Sequence, residues 1–183
     1  MPLMETVKYK TIMLPFIRIA AIALVTLTML AGVGCGPKLI KGRPPFVSIS
    51  DMRLDRETLK TEFDITNQNG VPMTIESMDI TVMINTTELA RFSSRETLEI
   101  TANGTEEVNV ADSPDDFTRN LLASLDDGRL KSLSFDLNAT AMTLEDGRLV
   151  SEHTGYLYPV PGRPGQYRAA VTQAKGLVRD DNL

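Results

Sequence analysis

The sequence predicts an all-β domain, a β-sandwich of about seven short strands with one short helix. Three segments alternate apolar and polar residues with a period of two, which is typical of strands with one buried face and one solvent-exposed face. Their apolar positions are Leu59, Phe63 and Ile65; Met78, Ile80, Val82 and Ile84; and Leu133, Phe135, Leu137, Ala139 and Ala141. Thr61 is the polar exception on the apolar face of the first segment. Turn signals between the segments and one stretch of helical spacing complete the pattern.

The amino-terminal segment is typical of a secretory signal. Three basic side chains and one acid precede Ile19, and residues 19–34 carry no charge. A basic start, a short apolar stretch and small residues before a cleavage site mark such signals. The apolar stretch is shorter than the roughly 20 residues that a membrane-spanning helix needs. We therefore predict that residues 1–34 form a signal peptide.

Cys35 is the only cysteine in the chain, and it follows the small residues of Ala31–Gly34. This segment resembles the lipobox of bacterial lipoproteins, in which the cysteine thiol is diacylated and the cysteine becomes the new amino terminus. The alternative is an uncleaved membrane anchor with a structural cysteine. Two or more acyl chains hold a protein firmly on a membrane. Because Gly36, and not Asp, follows the cysteine, we expect a lipid-anchored protein in the envelope of a Gram-negative-type bacterium, on the outer membrane and facing the periplasm.

Residues 35–45 are predicted to be a lipidated tether. This segment is rich in residues that break helices, namely Gly36, Pro37, Gly42, Pro44 and Pro45. Prolines keep a chain extended. Its basic side chains, Lys38, Lys41 and Arg43, could lie against anionic head groups.

The domain is predicted to span residues 46–159, with turns at Asn67–Gly70, at Asn103-Gly104 and at Glu145–Arg148. Asn-Gly and Asp-Gly pairs tolerate the positive φ of tight turns. A one-residue bulge near Glu76-Ser77 would bring the start of the second alternating segment into phase with the rest.

One segment has helical spacing. Ser113 is predicted as the N-cap and Pro114 as the first helical residue, with acids in the first turn facing the positive end of the helix dipole. The apolar side chains that follow at helical spacing are Phe117, Leu121, Leu122 and Leu125. Residues 160–183 are rich in Pro and Gly at first and then lack an apolar face, so we predict a flexible tail there, with a short helix at 168–178 as an option.

Composition argues against several classes of function. The formal net charge is −5, and removal of the signal segment leaves a mature chain at −7. No basic patch is visible, which argues against a nucleic-acid partner. His153 is the only histidine, and no metal-binding or catalytic motif surrounds it. Asp112, Asp115 and Asp116 lack the spacing of a calcium loop and fit helix capping better. We therefore predict no catalytic residue, no cofactor and no metal ligand, and Cys35 as the one functional residue.

Several weak motifs in order suggest a family. They are Asn67-Gln68-Asn69, the run from Ile100 to Gly104, and the closing pair Gly155 and Pro159. Together they resemble the water stress and hypersensitive response domain, group 2 of the late embryogenesis abundant proteins, with Gln68 where that family has Pro. The resemblance covers residues 46–159. It implies an immunoglobulin-like or fibronectin III-like sandwich with one helix, and a role in tolerance of desiccation.

Four classes of function remain as hypotheses. The first is a non-enzymatic envelope lipoprotein for desiccation or osmotic stress tolerance, bound to the membrane through the acyl chains on Cys35. The second is a periplasmic carrier of lipid or another apolar ligand, which would need an apolar cavity. The third is an envelope interaction module that pairs an exposed strand edge with a partner protein. An enzyme is the least favoured.

Overall fold

The computed structural model describes residues 41–175 of the 183-residue chain. These residues form nine strands and one helix. In chain order they are β1 (Phe46–Asp55), β2 (Thr58–Thr66), β3 (Met73–Ile84), β4 (Thr87–Ser94), β5 (Leu98–Ile100), β6 (Thr105–Asp112), α1 (Asp116–Asp126), β7 (Leu133–Thr143), β8 (Gly147–Pro159) and β9 (Gln166–Lys175). Within this part of the chain, no helix is both long enough and apolar enough to cross a membrane.

The strands make one antiparallel sheet that curls into a nearly closed barrel. Their order is β4-β3-β7-β8-β9-β1-β2-β6, and the short strand β5 pairs with β3 beyond β4. The two end strands approach each other where the Arg91 backbone N–H in β4 donates a hydrogen bond to Asp112 Oδ2 in β6, at 3.3 Å. This approach partly covers the two free edges of the sheet.

The all-β class and the single short helix are confirmed, whereas a seven-strand sandwich is not. Nine strands share one continuous sheet because β9 lies between β8 and β1 and joins the two halves. Because β9 is hydrogen-bonded to a strand on each side, the described strands do not divide into two separate sheets. The strand order depends on pairings between strands that are far apart in the sequence, such as β1 with β9. Local alternation does not reveal these pairings.

The barrel interior contains the residues that the alternation predicted. Every apolar position in the three alternating segments is buried, and Thr61 is buried with them. The predicted bulge is present as a register shift between Ile75 and Ser77 in the pairing of β3 with β7. The predicted turn at Asn103 is also present, and this residue adopts a positive φ of 55°.

The prediction of a flexible tail is wrong for Gln166–Lys175, and so is the optional helix at 168–178 as far as Lys175, where the described residues end. These residues form β9, which pairs with β8 from Pro159 to Glu152. Near the start of β9, Tyr167 packs into the core and is 1% exposed. The remaining side chains are small or polar, so no strong alternation marked the strand.

The helix begins two residues later than predicted. Asp115, not Ser113, is the N-cap, and its Oδ1 accepts a hydrogen bond from the Thr118 backbone N–H at 2.7 Å. Both are good capping residues. Pro114 is buried just before the cap.

The buried face of α1 also differs from the prediction. It consists of Thr118, Leu122 and Leu125, while Phe117 is 51% exposed. Consecutive helical residues are about 100° apart around the axis. Burial of Thr118 therefore turns Phe117 toward solvent.

The barrel has two distinct ends. The tether end is formed by residues 41–45 and by the turns at 67–72, 101–104 and 143–147. The helix end carries α1, and there Asp126 Oδ2 accepts hydrogen bonds from the Gly165 backbone N–H at 3.1 Å and from the Tyr167 hydroxyl at 2.9 Å. Burial is the main cause that raises the pKa of Tyr167 far above its usual value, and the hydrogen bond to Asp126 raises it further. The neutral Tyr167 hydroxyl thus links β9 to the end of α1 through its hydrogen bond to Asp126.

Candidate functional site

The predicted lipidation residue, Cys35, lies outside the described residues, as do residues 1–34 and the first part of the tether. Acylation and signal cleavage therefore stay predictions. The described part of the tether, residues 41–45, is docked on the barrel, and Pro44 and Pro45 are buried there.

Asn67 joins its own turn to the end of β5 at the tether end. Its Nδ2 donates hydrogen bonds to the backbone carbonyls of Val71 at 2.8 Å, Thr101 at 3.0 Å and Ile100 at 3.3 Å. Its Oδ1 accepts from the Asn69 backbone N–H at 2.9 Å. The side chain is fully buried. Both ends of the amide are thus satisfied, as a buried polar group requires.

Asn69 fixes the tether to the barrel. Its Nδ2 donates to the Arg43 carbonyl at 2.9 Å, and its Oδ1 accepts from the Arg43 backbone N–H at 3.0 Å. The amide therefore pairs with one residue of the tether as a neighbouring strand would. We call Asn67 and Asn69 the asparagine clamp. The sequence predicted that these residues shape a turn, and the structure adds that the turn holds the chain entering the barrel.

Gly155, which the resemblance also singled out, allows a close approach in the core. A Cβ atom at this position would lie 2.6 Å from Phe135 Cζ and 2.4 Å from the Ala170 carbonyl oxygen. Real Cβ atoms do not approach backbone so closely, so this glycine lets β7 and β9 pack tightly against β8.

His153 faces the barrel interior on β8 and is 4% exposed. Its ring meets the Phe46 ring edge to face, with centroids 4.7 Å apart. Neither ring nitrogen has a hydrogen-bond partner among the described residues, and the same holds for the Ser151 hydroxyl. Burial lowers the pKa of His153, which favours the neutral imidazole. A neutral, enclosed ring of this kind fits a structural role.

The three aspartates before and within the helix serve local structure. Asp115 caps α1, and hydrogen bonds from Thr118 lower the pKa of its carboxyl. Asp116 forms an ion pair with Arg119. Asp112 accepts the hydrogen bond from β4 described above.

The sequence analysis did not identify a second group of acidic residues, which lies on β2 and β6. Glu62 and Asp64 on β2 and Glu107 on β6 bring carboxylate oxygens within 4.8 Å of one another. Asp64 and Glu107 are direct cross-strand partners, a relationship that only the register reveals. Glu62 also accepts a hydrogen bond from the Ser50 hydroxyl at 2.9 Å. The group lies on the outer surface, where carboxylates are readily hydrated.

One groove on the described surface, of about 590 Å³, is lined by the polar and charged residues Asp55, Arg56, Glu57 and Thr58 at the turn between β1 and β2. Sites for apolar ligands are lined mainly by hydrophobic side chains. This groove therefore gives no support to a lipid carrier.

Residues 62–151 match the family model described as Late embryogenesis abundant protein, LEA_2. The match supports an LEA_2-type domain. It runs from β2 to β8 and includes the asparagine clamp and α1. Strand β1, most of β8 and strand β9 lie outside the matched range and complete the barrel. No curated protein matches the sequence.

Two solved structures resemble the chain loosely. A protein from Archaeoglobus fulgidus has a TM-score of 0.39 at 10% identity, with 74% of this chain and 98% of that chain covered. A protein from Arabidopsis thaliana has a TM-score of 0.35 at 14% identity, with 79% of this chain and 89% of that chain covered. At these scores neither similarity bears on function.

Proposed function

We propose that this protein is a non-enzymatic envelope lipoprotein that supports tolerance of desiccation and osmotic stress. The observation that carries the proposal is the match of residues 62–151 to the late embryogenesis abundant family. Signal cleavage before Cys35 and acylation of its thiol would place the domain on the periplasmic side of the outer membrane. The membrane is then its constant partner.

The finer assignment is to the water stress and hypersensitive response group. The turn Asn67-Gln68-Asn69 and the closing Gly155 support it, because the clamp and the tight strand packing give these residues physical reasons to be present. Polar residues that could suggest catalysis have structural partners or surroundings instead. Asp115 caps a helix, and His153 is enclosed next to Phe46.

A stress role also fits the charge of the domain. A mature chain at −7 with carboxylates on its outer face, such as Glu62, Asp64 and Glu107, binds water strongly and resists self-association. Held at a membrane surface, such a folded domain would keep hydrated groups where drying first removes water. Its stable barrel would persist as the solvent becomes scarce.

The anchoring step is tested by metabolic labelling with an alkyne fatty acid. We expect Cys35→Ser to abolish labelling and to leave uncleaved precursor, because the thiol is the acylation site. Pro37→Ser, a matched change two residues along the tether, should label like the unmodified protein. Equal labelling of the Cys35→Ser variant would contradict the proposal.

The physiological step is tested by survival. Cells without the protein should survive drying or osmotic shock less well than cells that have it, with unchanged growth in unstressed medium. Complementation with the Cys35→Ser variant should restore less survival than the unmodified protein, because the domain would no longer be held at the membrane. Normal survival together with an altered lipid profile in unstressed cells would instead favour a carrier.

A further inference from the structure

Few residues lie between the proposed acylation site, Cys35, and the part of the tether that is docked on the barrel. The asparagine clamp holds Arg43, and Pro44 and Pro45 are buried behind it. Only residues 36–40 separate Cys35 from the first described residue, Lys41. Six Cα–Cα steps span no more than about 20 Å when fully extended. With Cys35 acylated, as proposed above, the tether end of the barrel would lie within about 20 Å of the bilayer surface.

The helix end lies much farther from this attachment point. Strand β1 starts at the tether end and runs for ten residues toward the helix end. At about 3.3 Å per residue, the two ends are separated by about 30 Å. Residues 35–41 reach about 20 Å and the barrel is about 30 Å long. With Cys35 acylated, the tether end would therefore face the membrane and the helix end would face the periplasm.

The turn between β7 and β8 gives the tether end an apolar tip. Leu144 in this turn is 68% exposed, the highest value among the large apolar side chains exposed in the described part of the chain. Its backbone N–H donates to the Thr74 carbonyl at 3.0 Å, so the turn is held rigidly to β3. The turn also lies beside the tether, since a Cβ atom on Gly42 would be 3.6 Å from Asp146 Oδ1.

The charges around this tip are of both signs, since Glu145 and Asp146 follow Leu144 in the turn. The Glu145 carboxylate accepts hydrogen bonds from the Thr74 backbone N–H at 3.1 and 3.2 Å, which lower the pKa of that carboxyl and direct it toward the protein. Lys41 and Arg43 are exposed at the same end. Basic side chains beside a membrane are attracted to anionic head groups.

We propose that the tether end of the barrel is a membrane-contacting surface, in which the asparagine clamp sets the orientation and Leu144 enters the head-group layer. This inference rests on the proposed acylation of Cys35. The occupant of the surface is the bilayer that holds the acyl chains. In this orientation α1 and the exposed Phe117 point toward the periplasm.

The test uses the full mature lipoprotein in vesicles of phosphatidylethanolamine and phosphatidylglycerol that contain a lipid with a nitroxide on its head group. Acylation consumes the Cys35 thiol, so an introduced cysteine is the single site for a maleimide fluorophore. Leu144→Cys places the fluorophore at the tether end, and Arg129→Cys places it on an exposed loop at the helix end. We expect the nitroxide to quench the fluorophore at position 144 more strongly than the one at position 129.

Equal quenching at the two positions, or stronger quenching at position 129, would overturn the inference. Mass spectrometry of the amino-terminal peptide from the same sample reports acylation. An unacylated Cys35 refutes both the proposed function and the orientation, whereas an acylated Cys35 with equal quenching refutes the orientation alone.

The role of the clamp is tested in the Leu144→Cys and Arg129→Cys backgrounds. Asn69→Ala should reduce the difference in quenching, because the tether is freed from the barrel. Asn109→Ala, which removes an exposed asparagine on β6, should leave the difference intact. Circular dichroism reports whether each variant retains its β signal. A folded Asn69→Ala variant that keeps the full difference would show that the clamp does not set the orientation.

Discussion

Replacing Asn67 by Ala should destabilise the domain by about 2–4 kcal/mol. The fully buried amide has two hydrogens, which serve the carbonyls of Val71 and Thr101 at 2.8 and 3.0 Å, with Ile100 at a longer 3.3 Å. Its oxygen serves the Asn69 backbone N–H at 2.9 Å. Three good hydrogen bonds at about 1 kcal/mol each give the centre of this range, and backbone groups left without partners add to it. Water that enters the vacated space reduces it.

The measurement is urea unfolding of the mature chain followed by circular dichroism, since the sequence has no tryptophan for fluorescence. Asn67→Asp should cost at least as much as Asn67→Ala at pH 7, because it keeps the acceptor but directs a second oxygen at the three carbonyls. Asn109→Ala is the matched control and should stay within about 0.5 kcal/mol of the unmodified protein. If Asn67→Ala matched that control, the clamp would contribute no net stability and our account of the turn would be wrong.

Two further predictions concern the barrel interior. Phe135→Ala should cost about 3–5 kcal/mol, because the side chain is 2% exposed and packs on Gly155, whereas Asp136→Ala on the outer face should cost less than about 0.5 kcal/mol; similar urea midpoints for the two variants would contradict the assigned register. The free energy of unfolding should fall as the pH drops through about 6.5, because burial lowers the pKa of His153 in the folded state and the unfolded chain then binds the proton first. The fall should end below the folded pKa, and a His153→Leu variant should lack it; the same pH dependence in that variant would assign the effect to other groups.

Local patterns in the sequence were sufficient for the strands with one clearly apolar face. The alternation from Leu133 to Ala141 predicted the buried face of β7, because side-chain direction along a strand depends only on the strand itself. The bulge before Ser77 followed from the same rule. Strand β9 lacked this signal, since Tyr167 is its one fully buried large side chain and its place depends on backbone pairing with β8 and β1.

For a related reason, the sequence predicted the turn that contains the asparagine clamp but not the partners of its side chains. A turn at Asn67–Gly70 follows from residue type alone. Three partners of the two side chains, however, lie 26 to 34 residues away in the sequence, namely Arg43, Ile100 and Thr101. The helix cap shows a smaller failure of the same kind. Both Ser113 and Asp115 suit the position, and the structure uses Asp115, with Pro114 buried just before it.

The pairing of β1 also determines how the protein bears a mechanical load. A pull on the chain at Lys41 acts first on the two hydrogen bonds between Arg43 and Asn69, and then along the axis of β1. Strand β1 pairs with β2 over its whole length, from Phe46 with Thr66 to Asp55 with Thr58. A force along the strand loads these hydrogen bonds in shear, all at once, rather than peeling them apart one by one. A pull from the tether is therefore shared by the whole ladder between β1 and β2.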